Sequence, residues 1–92
     1  MNDKVFIVCI ELNSKHVADR IENYIRSFSI GYKKIIENVF AVRVANNYSS
    51  ENIRDMINMQ LGGNSTIFVM KSSIDAAWKV LPEIDGWLKS YI

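Results

Sequence analysis

Glu11, Asn13 and His16 bring a carboxylate, an amide and an imidazole into one short stretch of the chain. Carboxylate and amide oxygens are the ligands that hard divalent cations prefer, and an imidazole beside them could serve as a general acid or base. Glu11 and Asn13 are therefore the candidate metal ligands, and Glu11 and His16 the candidate catalytic groups. In a two-fold dimer two copies of Glu11 could approach each other and share one ion. The plainer reading is a solvated carboxylate closing a strand and a surface histidine near a helix start. Lys33, Lys34 and Arg43 form a second group, with Tyr32 beside them and Arg26 and Lys15 as outlying members. On neighbouring strands they could make phosphate contacts to a nucleic acid. Strand alternation separates Lys33 from Lys34, and basic residues on an edge strand also discourage aggregation.

The elements that would position these groups follow from periodicity. Residues 4–13 read as a strand that is apolar on both faces and ends in the Glu11 carboxylate. Val5, Ile7 and Cys9 face one way, and Phe6, Val8, Ile10 and Leu12 the other. Such a strand is normally buried on both sides, so its second face is expected to meet another subunit or a further helix. Asn13 or Ser14 can cap a first helix, whose stripe is Val17, Ile21, Tyr24, Ile25 and Phe28. Strands are expected over residues 32–36 and 39–45, joined by a turn at Glu37 and Asn38. Ser49 or Ser50 caps a second helix with Ile53, Met56, Ile57 and Leu61 inward, and Gly62 and Gly63 end it. Residues 66–70 read as another buried strand, residues 72–75 as a polar connection and residues 76–80 as a short edge strand around Trp78. Pro82 opens a last helix with Ile84, Trp87, Leu88 and Tyr91 on one stripe. Trp78 and Trp87 read as packing anchors, and Met56, Met59 and Met70 as core filler.

This order is that of a ferredoxin-like α+β sandwich, βαββαβ, with a short extra strand and a C-terminal helix. Right-handed crossovers place the first two helices on one face of the sheet. The other face is left for a partner or for the terminal helix, which could also be exchanged between subunits.

Length and composition bound the rest. With 92 residues the chain is expected to form one domain, and 49% hydrophobic with 23% charged residues is ordinary for a folded protein. A net charge of +1 does not announce a nucleic-acid binder. The lone cysteine, Cys9, reads as a buried small hydrophobe in a reducing compartment. The apolar run at residues 5–10 is short and runs into Glu11 and Asn13, which argues against a signal peptide or a membrane span. A cytoplasmic location is expected. Gly62 and Gly63 lack the Lys-Ser/Thr of a phosphate loop. One cysteine and one histidine do not suit tetrahedral zinc, and no serine has the flanking glycines of a nucleophile elbow.

Val8-Cys9-Ile10-Glu11-Leu12-Asn13, the helix after it and Ile36-Glu37-Asn38-Val39-Phe40-Ala41-Val42 resemble the small CRISPR-associated adaptation subunit and its relatives, the VapD-type toxins and SinR-like small proteins. For the SinR-like group the resemblance extends to residues 49–59, residues 67–69, Ala77-Trp78 and Trp87-Leu88-Lys89. It implies a ferredoxin-like subunit that forms a homodimer through its sheet. It also implies a metal-binding acidic residue at the end of the first strand, paired across the dimer. The family has aspartate there; Glu11 is one methylene longer and would shift such a site. The family's basic residues at the first helix are represented only by Lys15 and Arg20. Three function classes follow: a homodimeric binding or scaffolding protein that could engage nucleic acid, since many such relatives keep the dimer and lose the chemistry; a divergent metal-dependent ribonuclease or toxin, in which two Glu11 carboxylates would hold magnesium or manganese to activate water; and a protein-interaction module acting through a sheet edge or the terminal helix, as in phage–host conflict.

Overall fold

In a computed structural model, residues 3–12, 14–63, 65–72 and 77–91 are described. The doubly apolar first segment forms strand β1, Lys4–Ile10. Helix α1, Lys15–Phe28, starts where the Ser14 hydroxyl accepts the Val17 N–H at 3.2 Å. That bond satisfies one of the donors a helix leaves open at its first turn. Strands β2, Gly31–Ile36, and β3, Val39–Val44, follow as a hairpin. Its turn needs a left-handed residue, and Asn38 supplies one at φ 65°. Asparagine tolerates that region better than other non-glycine residues.

Helix α2, Ser50–Gln60, opens with a capping box between Ser49 and Asn52. It stops at Gly62 and Gly63, both at positive φ, with the Gly63 N–H returning to the Asn58 carbonyl at 3.2 Å. Strand β4, Ile67–Lys71, and helix α3, Pro82–Tyr91, complete the chain. The short strand expected at residues 76–80 does not form over its described part, Ala77–Val80. That segment instead reaches α3 as irregular chain and contributes Trp78 and Val80 to packing beneath it. Ala76 and most of the expected polar connection lie outside the described residues.

The fold is α+β: among the described residues, a four-stranded antiparallel sheet with three helices. The order is β2-β3-β1-β4, with β1 central between β3 and β4, which is compatible with the ferredoxin-like arrangement. On the first face Phe6, Val8, Ile10, Phe40, Val42 and Val44 pack against Ile21 and Ile25 of α1 and Ile53 and Ile57 of α2. All of them are buried, so this is the main core. The sheet alternation then sends Val5, Ala41 and Arg43 to the opposite face. There Ile84 and Leu88 of α3 bury Val5 and Ala41, with Ile7, Ile35, Trp78, Val80 and Trp87 around them. Helix α3 thus covers its own sheet over β1, β3 and β2.

That cover does not extend over β4. The strand expected to be buried has Phe68 59% and Met70 49% exposed. Ile67 and Val69, which alternate with them, are half-buried against the main core. Met59 is 81% exposed and Met56 half-buried, so these methionines are not core filler. Cys9 likewise is half-buried rather than enclosed. No described helix is long and apolar enough to cross a membrane.

Candidate functional site

Glu11 follows the last residue of β1, and its backbone N–H still donates to the Thr66 carbonyl at 3.0 Å. The residue is exposed. His16 sits in the first turn of α1 and is exposed as well. No hydrogen bond joins the two among the described residues. Asn13, the other expected oxygen ligand, lies outside them. No group of three or more His, Cys, Asp or Glu that could hold a metal ion is found among the described residues. A cation at Glu11 would have to draw its remaining ligands from another chain, from backbone or from water.

The basic group is dispersed by the hairpin. Lys34 pairs in register with Phe40 and Lys33 with Ala41, so the two lysines take opposite faces of β2. Lys34 lies on the α1 side, where it meets Glu37 at 2.7 Å. Its hydrogen bond to that carboxylate raises the ammonium pKa above its usual value. The pair lines an open concavity of about 470 Å³ with Ser14, Lys15 and Asp19. Lys15 and Asp19 are themselves paired at 3.1 Å. Two cations and two anions therefore neutralise each other at the mouth of α1.

Arg43 stands on the α3 face. Its guanidinium pairs with Asp3 and lies 4.5 Å from the centroid of the Tyr91 ring. Both members of the ion pair are mostly covered. This arrangement fastens the last turn of α3 to the sheet, a structural task that the residue type of Arg43 does not announce. Lys33 lines a second shallow concavity together with Lys34, Tyr32, Glu22 and, at the start of α3, Glu83 and Ile84. The Tyr32 hydroxyl donates to Glu22 at 2.8 Å and accepts from Arg26 at 2.8 Å. Partial burial, followed by the Glu22 carboxylate, raises the phenol pKa. Lys33 and Lys34 therefore meet at the β2 edge among Glu22 and Glu83, and Arg43, held by Asp3 and Tyr91, does not join them in one basic strip.

The feature that individual residue types did not reveal is the open part of the second face. Phe68 pairs in register with Cys9 and Met70 with Ile7. Cys9, Phe68 and Met70 make an apolar strip along β1 and β4 beside α3, continuous with Ile7 at the margin of the α3 cluster. The signal lay in β4 itself: Ile67, Phe68, Val69 and Met70 are apolar on both faces, with a charge only at Lys71. Comparison with protein families, curated proteins and solved structures finds no match.

Proposed function

We propose that this chain is a small binding or scaffolding protein that works as a homodimer and is built on the ferredoxin-like arrangement. The observation that carries this reading is the half-covered second face. Helices α1 and α2 close the main core, α3 closes the part over β2, β3 and β1, and Phe68 and Met70 remain open. Contiguous apolar surface of this kind on a small domain marks an interaction site. The dispersal of the candidate chemical groups supports a protein that holds rather than converts. Glu11 and His16 are exposed and unconnected, while Lys34 and Arg43 are engaged by Glu37 and Asp3.

Sedimentation equilibrium or light scattering across micromolar concentrations tests the reading. A reversible monomer–dimer equilibrium is expected. A strictly monomeric protein at high-micromolar concentration would overturn it.

A further inference from the structure

We infer that the partner is a second copy of this chain, joined through the outer edge of β4 to make one continuous eight-stranded sheet. This deepens the homodimer reading and rests on it. The argument begins with the contrast between the two edges of the sheet. β2, at one end, carries Lys33 and Lys34 and a register irregularity between Lys34 and Ile36. Lysines and bulges are the usual protections of an edge strand against pairing. β4, at the other end, has an unbroken register with β1, no proline, no glycine, and a charge only at Lys71. Among the described residues no further strand pairs with its outer side.

The hydrogen-bond phase fixes which backbone groups are free. The Glu11 N–H bonds the Thr66 carbonyl and the Ser72 N–H bonds the Val5 carbonyl. In an antiparallel ladder every second residue bonds the same neighbour. Thr66, Phe68, Met70 and Ser72 therefore bond inward to β1, and Ile67, Val69 and Lys71 direct their N–H and C=O outward. A two-fold axis at Val69 satisfies all of these groups: Val69 faces its own copy, and Ile67 faces Lys71 of the second copy. The same operation sets Phe68 against Met70 of the second copy, and the reverse, on the open face. Such an interface is isologous and closes at two subunits.

Charge and area agree with this register. The two Lys71 side chains fall four residues apart along the paired strands, about 14 Å, and do not oppose each other. Each comes opposite Ile67, at the end of the sheet where α2 terminates with no basic residue in its last turn. Cations are favoured near a helix C-terminus. A five-residue strand is about 17 Å long. With flanking side chains it buries roughly 500 Å² per copy, or about 1,000 Å² in total, which is the lower limit for a specific interface. The dimer is accordingly weak and concentration-dependent.

The test uses the full chain and two kinds of variant. Val69→Pro removes an N–H that the monomer does not use, so an edge strand can accept it. Met70→Lys alters only an exposed side chain and places a cation against Phe68 of the second copy. Both are expected to keep the far-UV circular dichroism of the parent and to weaken dimerisation by about tenfold or more. Val69→Ala is expected to dimerise. A dimer that persists in folded Met70→Lys would overturn the β4 edge while leaving the homodimer reading standing. A parent protein that never dimerises would overturn both. Should Val69→Pro fail to fold, Met70→Lys decides alone.

Discussion

Arg43→Ala should loosen α3 from the sheet, and its effect can be worked from three contacts. The guanidinium pairs with Asp3 in a setting where both side chains are about one-fifth exposed, at 22% and 21%. Partly covered pairs of this kind contribute about 1 kcal/mol. The cation lies 4.5 Å from the Tyr91 ring centroid, and a partly exposed cation–π contact adds about 0.5–1 kcal/mol. Burial of the rest of this mostly covered side chain supplies the remainder of a total of about 2 kcal/mol. For a domain of this size that is a fall in Tm on the order of 10 °C. Urea denaturation of the parent, Arg43→Ala, Tyr91→Leu and the double variant isolates the aromatic part. The expected coupling is about 0.5–1 kcal/mol. Both tryptophans of the chain, Trp78 and Trp87, belong to the cluster beneath α3. Their fluorescence therefore reports α3, while circular dichroism reports the whole domain. A coupling indistinguishable from zero, with unchanged tryptophan fluorescence in Arg43→Ala, would refute the docking of α3 on its own sheet through these residues.

Two further expectations concern single contacts. Asn38 holds φ 65° at the hairpin turn, so Asn38→Gly should be close to neutral and Asn38→Ala should destabilise by about 1 kcal/mol, as measured by denaturant midpoints. The Asp85 carboxylate accepts the Trp78 indole N–H at 2.9 Å and meets Lys89 at 3.2 Å. The indole first, then the ammonium, holds its pKa below the ordinary carboxylate value. Because the folded pKa is depressed, this contribution is fully present above the unfolded pKa and is lost as pH falls through the folded one. An acid titration followed by tryptophan fluorescence should show that transition, and Asp85→Ala should lack it.

Much of the architecture was legible from the chain because it rests on local rules. The Ile21 and Ile25 stripe, a cap at Asn13 or Ser14, another at Ser49 or Ser50, and the Gly62-Gly63 stop are each set by contacts within a few residues; Ser14 and Ser49 fill the two caps, and the stripe and the stop are in place. Placing α1 and α2 on one face needed only the handedness of crossovers. Burial of β4 is not legible in the sequence, for a physical reason. A strand apolar on both faces reads the same whether its cover comes from its own chain or from another, and Phe68 and Met70 carry no mark of the difference. The basic group is legible only in part: alternation already separates Lys33 from Lys34, and Glu37 lies three residues from Lys34, whereas the pairing of Arg43 with Asp3 and Tyr91 depends on tertiary distances that composition does not contain. The short strand around Trp78 was expected from β-prone residues, yet those side chains serve the underside of α3 instead.

The edge pairing at β4 and a metal ion shared by two Glu11 carboxylates exclude each other. Glu11 lies level with Thr66 across the β1–β4 ladder, as its bond to that carbonyl requires. With the two-fold axis at Val69, Thr66 of the second copy lies level with Ser72 of the first, six residues along the strand. That is about 20 Å along the sheet, and the path from β1 through both β4 strands to the other β1 adds three strand spacings, about 14 Å across. The carboxylates are then roughly 25 Å apart, whereas a shared magnesium or manganese requires oxygens within about 2–2.5 Å of one ion. Glu11→Gln should therefore leave the dimerisation constant unchanged and should not alter manganese binding followed by electron paramagnetic resonance. Should the dimer instead bind one manganese ion tightly, and lose it in Glu11→Gln, the β1 ends must meet. The two-fold axis would then pass near Glu11 rather than Val69, and the outer edge of β4 would need a different partner.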